Sequence, residues 1–231
     1  MLNAQAERLW QEYLTAEKNG LRAVTLKALD RFIEALQGLP RSDWKTWALG
    51  LAEEVSDRGS AVPIRSPLFR RVVLPALVEG VLAGERGCAR WLASFERDLL
   101  KCRETGLPAE LETAPRLLRE ALRTDPADDL ARRRLVDRNA AYLNYTLHEL
   151  PLGVLYGYDS ATVEQCEELL DFLAEFREHV VRTGQEERFR ALIDQCDFHF
   201  HAYANYLRQD KREGGYKAYL SSLGHGQAVP D

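Results

Sequence analysis

The chain has 231 residues, of which 45% are apolar and 29% charged, and its formal net charge is −5. These values are ordinary for a globular protein and exclude a disordered chain or a coiled-coil rod. The acidic balance argues against nucleic acid as a partner, because nucleic-acid-binding proteins carry a basic surface. No apolar run approaches the length that would span a membrane.

The cysteines indicate a reducing compartment. They are Cys88, Cys102, Cys166 and Cys196, which are widely spaced and form no C-x-x-C pair. Each falls in an apolar helical pattern, where a thiol behaves as a small buried hydrophobe. The N-terminus is amphipathic and unlike a signal peptide, so we expect a cytoplasmic protein. The bias towards arginine over lysine is typical of a GC-rich bacterial genome, and we give it no functional weight.

Helical periodicity dominates the whole chain, and no segment alternates as a β-strand would. The pattern predicts an all-α protein, either a multi-helix bundle or an irregular α-solenoid of about nine or ten helices. We treat residues 1–231 as a single all-helical domain. The Gly-, Ser- and Pro-rich segment 57–66 is the candidate boundary if the chain has two subdomains.

Start and stop signals locate the helices in chain order. The first should end at Asn19-Gly20, and the second should turn Val24, Leu26, Leu29, Ile33 and Leu36 inward. A later helix begins at Ser66-Pro67, and Pro75 should kink it. Another should span Cys88 to Leu99. Helices with predicted ranges cover about 3–18, 21–37, 161–182 and 185–209, and a short last helix contains Tyr216 and Leu220.

Small and apolar residues recur on both sides of a turn in the segment 114–135. They are Ala114, Leu118 and Ala121, the turn Asp125-Pro126, and then Ala131 and Leu135. This pattern resembles the second helix, the turn and the following first helix of a tetratricopeptide repeat. The resemblance is local, because no second copy recurs at the period of the repeat. It implies a helical hairpin packed in the style of that family.

Five carboxylates follow helical spacing on a single predicted helix. They are Glu164, Glu168, Asp171, Glu175 and Glu178, which we call the acidic stripe. Like charges at this spacing repel one another, so something should offset them. The functional interpretation is a docking face for a basic partner or a cation site. The alternative is a solvated face, or pairing with arginines such as Arg132 and Arg188.

Two further stripes of polar side chains could form a pocket. One lies in the segment 138–149 and the other in the segment 197–208. If they faced each other, they would enclose a site for a small ligand or a peptide end. The alternative is that the tyrosines are buried with hydrogen-bonded hydroxyls. The candidate ligand-binding residues are Tyr142, Tyr145, His148, Glu149, His201 and Asn205.

The chain contains no recognised catalytic or phosphate-binding motif. The one-turn pairs Asp197–His201 and Glu175–His179 could each ligate one metal ion. However, there is no H-E-x-x-H motif and no Glu-x-x-His pair of the kind that di-iron helical proteins use. We therefore predict no catalytic residue, no metal ligand and no cofactor.

These observations favour a non-catalytic protein that binds another protein, possessing an acidic face that suits a basic partner. Such a protein would be an adaptor, an inhibitor or an immunity-like factor. The alternative is a metal- or small-molecule-binding helical enzyme with its site between the 138–149 and 197–208 stripes. A structural homo-oligomer is a third hypothesis.

Overall fold

The computed structural model describes residues 2–102, 104–149, 161–209 and 214–224. These residues form helices joined by turns and loops and include no β-strand, which confirms the predicted all-α, multi-helix class. No helix in this part of the chain is long and apolar enough to cross a membrane. The chain divides into two compact units, Met1–Ala131 and Arg132–Asp231.

The first unit contains the helices α1 to α8. A π-helical segment, Phe69–Val73, joins α4 to α5, and a 3₁₀ turn, Ala109–Leu111, precedes α8. The segment 57–66, which is the candidate subdomain boundary, lies inside this unit. The helices are α1 Ala4–Asn19, α2 Arg22–Gln37, α3 Arg41–Asp57, α4 Ser66–Leu68, α5 Leu74–Leu82, α6 Cys88–Ser94, α7 Glu96–Leu99 and α8 Ala114–Thr124.

The ends of α1 follow from local sequence signals. The side chain of Asn3 accepts a hydrogen bond of 2.8 Å from the backbone N–H of Ala6, which caps the first turn. Gly20 ends the helix with φ at 74°, a left-handed conformation that glycine adopts without a steric penalty. The predicted end at Asn19-Gly20 is therefore confirmed.

The inner face predicted for α2 is wrong at its first turn. Val24 is 54% exposed, and Thr25 is fully buried in its place. The Thr25 hydroxyl lies 3.0 Å from the carbonyl oxygen of Ala16 and 3.1 Å from that of Leu21. A hydroxyl with such partners can be buried at little cost, and apolar periodicity alone does not reveal those partners.

The helix predicted over Cys88 to Leu99 is divided into α6 and α7. Phe95 departs from helical geometry, with φ at −98° and ψ at 22°. Its buried ring packs against Phe69, with 5.4 Å between the ring centroids. The break therefore coincides with a tertiary contact of Phe95, and no proline or glycine marks it in the sequence.

A π-helical segment accommodates Pro75. Proline has no N–H with which to bond to the carbonyl of Arg71, four residues earlier. The N–H of Leu74 bonds to the Phe69 carbonyl, five residues back, which is the π-helical pattern. The Arg71 carbonyl accepts a hydrogen bond of 3.4 Å from the side-chain amide of Gln37 on α2. At this position the sequence predicts a kink, and the structure shows a change in hydrogen-bonding register.

The segment that resembles a tetratricopeptide repeat forms α8, a turn and the start of α9 (Asp129–Glu149). Within the first unit, α8 packs against α6. The resemblance to the repeat family stays a prediction. The residues that carry it are buried wherever they lie on a helix, namely Ala114, Leu118, Ala121, Ala131 and Leu135.

The second unit contains α9 from Arg132 onward together with α10 Val163–Arg182, α11 Glu186–Leu207 and α12 Gly215–Ser222. Ion pairs Arg177–Asp197 and Glu167–Arg208, each at 2.8 Å, show that α10 and α11 run antiparallel. Thr162 and Gln165 form the predicted capping box at the start of α10. All four helices contribute to the core of the unit, for example through Val136, Leu143, Phe176, Phe200 and Leu220.

Candidate functional site

The acidic stripe lies on a solvent-facing side of α10. Four of its five carboxylates belong to exposed residues, and only Glu175 is half-buried. Glu164 is in the first turn, where hydrogen bonds from its own backbone N–H and from Thr162 lower the pKa of its carboxyl. This end of the stripe is therefore held in its charged form.

Neighbouring cations offset part of the stripe. Glu178 forms an ion pair with Arg182, and Glu175 lies 3.5 Å from the Nε2 atom of His179. Glu168 and Asp171, in the middle of the stripe, form no ion pair with any residue that the structure describes. Two adjacent carboxylates thus remain available to an external cation.

Arg132 and Arg188, two arginines considered as internal partners of the stripe, each contact a residue outside it. The Nη1 atom of Arg132 lies 3.2 Å from the Nδ1 atom of His179. Because arginine can only donate, this contact assigns the His179 proton to Nε2, facing Glu175. Arg188 pairs with Asp137 on α9 at 3.0 Å.

Tyr142 of α9 makes an aromatic contact with α10, the helix that carries the acidic stripe. The Tyr142 ring packs edge-on against Phe172 of α10, with 5.2 Å between centroids and 75° between planes. Phe172 follows Glu168 by one helical turn, so these two residues share a side of α10, and Asp171 comes directly before Phe172 in the chain. We call Tyr142, Glu168, Asp171 and Phe172 the acidic–aromatic face.

The other α9 candidates are exposed or half-buried. Tyr145, one turn along α9 on the same side as Tyr142, is 60% exposed. His148 is exposed and Glu149 half-buried at the end of the helix. The burial expected for the tyrosines under the alternative interpretation is thus wrong for Tyr142 and Tyr145, which are both exposed.

The α11 candidates border a different feature. His201 and Asn205 line an open depression of about 470 Å³ together with Asp197, Phe198 and residues of the α12 region. Those residues are Tyr219 and Leu223, so the far wall of the depression is formed near α12. None of the α9 candidates lines it. This depression therefore joins the 197–208 stripe to α12. A pocket between the 138–149 and 197–208 stripes stays a prediction.

The two one-turn pairs considered for metal binding are engaged in hydrogen bonds. The Nδ1 atom of His201 lies 2.8 Å from the Asp197 carbonyl oxygen, and the Asp197 carboxylate pairs with Arg177. His179 uses both ring nitrogens, towards Arg132 and Glu175. Within the described residues, no three His, Cys, Asp or Glu side chains are placed to hold a metal ion.

Two buried polar groups of the second unit, the side chains of His199 and Tyr216, were not predicted from the sequence as a bonded pair. His199 is buried on α11, and its Nδ1 atom lies 3.0 Å from the Tyr216 hydroxyl of α12. Burial raises the pKa of Tyr216. The Tyr216 ring also packs against Tyr203, with 4.8 Å between centroids. Four tyrosines within 17 residues (203, 206, 216 and 219) were the signal that could have indicated this cluster.

The buried thiols are unreactive because their surroundings disfavour the thiolate form. Burial raises the pKa of Cys88 to about 12, that of Cys166 to about 11 and that of Cys196 to about 12. A nucleophilic cysteine needs the opposite shift, which a nearby cation or a helix N-terminus provides. These three cysteines act as small core residues, as the sequence predicts.

A scan of protein-family models, a search of curated proteins and a search of solved structures found no match to this chain.

Proposed function

We propose that this protein is a non-catalytic, cytoplasmic interaction module that binds a basic segment of another protein on the acidic–aromatic face. Glu168 and Asp171 supply the negative charge, while Tyr142 and Phe172 supply an adjacent apolar surface. The observation that carries the proposal is the presence of two exposed carboxylates, without an ion pair among the described residues, near the contact between the exposed Tyr142 and the half-buried Phe172.

The chemistry of this face suits arginine and lysine side chains. A guanidinium can bond to a carboxylate through two parallel N–H groups and can also stack on an aromatic ring. Aromatic residues are enriched where proteins bind one another, and complementary charge raises the association rate. The face thus joins a steering charge to an apolar contact, which suits an adaptor, an inhibitor or an immunity-like factor.

Charge reversal tests this proposal. The Glu168→Lys/Asp171→Lys variant should lower the recovery of a bound protein by about tenfold in low-salt affinity capture from cells of the native organism. A matched control is Glu34→Lys/Asp194→Lys, which changes net charge equally at exposed positions on α2 and α11. Quantitative mass spectrometry would compare what each variant retains.

The Tyr142→Ala variant separates the aromatic contribution from charge. It should weaken capture of the same protein while leaving the net charge unchanged. The proposal fails if no protein is lost selectively from the Glu168→Lys/Asp171→Lys variant. It also fails if the Glu34→Lys/Asp194→Lys control loses the same protein to the same extent, because general charge would then explain the binding.

A second candidate function is the binding of a small ligand in the α11–α12 depression. The observation that favours it is the convergence of His201, Asn205 and Tyr219 around an open space of about 470 Å³. Native mass spectrometry of the purified protein would show a co-purifying molecule, which a His201→Ala/Asn205→Ala variant should lose. A protein that carries no such molecule would argue against this candidate.

A further inference from the structure

A cleft in the first unit is lined by aromatic and aliphatic side chains from α1, α3 and the loop after α3. Its volume is about 450 Å³, within the range of pockets that hold small molecules. Trp10 and Trp47 form one wall, with 5.1 Å between their ring centroids. Leu14, Leu51 and Val62 add aliphatic side chains to the lining. The cleft shares no residue with the acidic–aromatic face.

Gly50 forms part of the cleft wall in the middle of α3. Glycine inside a helix makes the helix less stable than alanine would. Neither the backbone nor the packing requires glycine at position 50. Its φ angle is not positive, and a Cβ atom added to it would meet no atom within 4 Å. Departures from local helix rules without a packing reason are expected at functional sites. The absent side chain keeps this wall of the cleft open.

The charge at the rim selects a cation. Glu53 pairs with Arg58 at 2.9 Å, so these two side chains neutralise each other. Glu54, also at the rim, is exposed and forms no ion pair with a described residue. One uncompensated carboxylate therefore stands beside two indole rings, and both features favour a positively charged group.

We propose that this cleft binds a small amine that has a flat apolar body. The body packs against Trp10 and Trp47 in the space that Gly50 leaves open, and the ammonium group pairs with Glu54. This site is independent of the protein-binding face, so either can fail without the other.

Phenethylamine is a direct probe, and tryptophan fluorescence is the readout, since Trp10 and Trp47 line the cleft. We expect a saturable change with phenethylamine, about fivefold weaker binding of the isosteric neutral 2-phenylethanol, and still weaker binding of phenylacetate. Glu54→Gln should remove the preference for the amine over the alcohol. The control Glu7→Gln, at an exposed α1 position outside the cleft, should keep it.

Filling the cleft tests its location. Gly50→Leu should weaken phenethylamine binding by at least about tenfold, because its side chain occupies the same space. Thr46→Leu adds the same side chain one turn earlier on α3, outside the cleft, and should bind as the native protein does. Equal binding by Gly50→Leu and the native protein would overturn the proposal. So would the absence of saturable binding, which would leave the cleft, at most, a socket for a partner's side chain.

Discussion

Individual polar residues that tie distant segments together escape sequence analysis, and Glu17 is an example. Arg65 donates two hydrogen bonds to the Glu17 carboxylate, at 2.5 and 2.7 Å, and so joins α1 to the chain just before α4. The hydroxyl of the fully buried Tyr13 bonds to the Pro63 carbonyl at 2.8 Å and lies 3.2 Å from Glu17. The partners are about 50 residues apart in the chain, so no local pattern indicates the cluster.

Acidification should weaken this cluster, because the pKa of Glu17 is lower in the folded protein than in the unfolded chain. The hydrogen bonds from Arg65 lower the pKa of Glu17 relative to the unfolded chain. The pair therefore contributes stability above the unfolded pKa of about 4.3, and this is lost as pH falls through the lower folded pKa. Glu17→Gln should reduce the free energy of unfolding by about 1–2 kcal/mol at neutral pH.

Denaturant unfolding at a series of pH values would measure this contribution. The difference between the native protein and Glu17→Gln should shrink towards zero on acidification, because the native carboxyl then becomes neutral too. Glu12→Gln is the control, since Glu12 pairs with Arg31 at the surface and should matter by less than about 0.5 kcal/mol. A pH-independent difference for Glu17→Gln would contradict the assignment.

At the scale of helices, the features set by residues close together in the chain were predicted correctly. The features set by tertiary contacts were not. The ends of α1 and the start of α10 follow from Asn3, Gly20 and Thr162, whose bonding partners are close in the chain. The break at Phe95 and the contact of Tyr142 with Phe172 depend on residues of other helices. Periodicity indicates which residues share a face, but the packing partner of that face comes only from the structure.

The packing of the short helix α12 against α11 should depend on the hydroxyl of Tyr216. Tyr216→Phe removes the hydrogen bond between the Tyr216 hydroxyl and the buried His199. It should lower the free energy of unfolding by about 1–2 kcal/mol. Tyr219→Phe is the matched control, because Tyr219 is half-buried and its hydroxyl bonds to no described residue. It should change the free energy of unfolding by less than about 0.5 kcal/mol.

Amide hydrogen exchange would locate the effect of Tyr216→Phe. We expect faster exchange in α12 and the facing part of α11, with little change in α1 to α3. Equal destabilisation by Tyr216→Phe and Tyr219→Phe would show that the hydroxyl contact with His199 contributes nothing beyond ring packing.

At the scale of the whole molecule, the chain has two compact units, and α9 runs across the boundary between Ala131 and Arg132. The sequence predicts a single domain, with 57–66 as the candidate subdomain boundary because Gly, Ser and Pro mark that segment. A boundary inside a long helix carries no such mark. Only the grouping of contacts in three dimensions reveals it.

Two spectroscopic probes can tell whether the units unfold separately. All four tryptophans, at positions 10, 44, 47 and 91, lie in the first unit, whereas far-UV circular dichroism reports helices from both. Leu173 is fully buried in the core of the second unit, so Leu173→Ala should lower the free energy of unfolding of that unit by about 2–5 kcal/mol. We expect this variant to shift the dichroism transition to lower denaturant while the fluorescence transition moves less.

Leu92→Ala is the reciprocal control, because Leu92 is fully buried in the first unit and its loss should shift the fluorescence transition. Non-coincident transitions would show that each core unfolds as its own cooperative unit. If both variants instead shift both probes by equal amounts, residues 1–231 unfold as one cooperative domain. In that case the continuous helix α9 offers a physical reason, since fraying on one side of Ala131 would remove helical hydrogen bonds from the other.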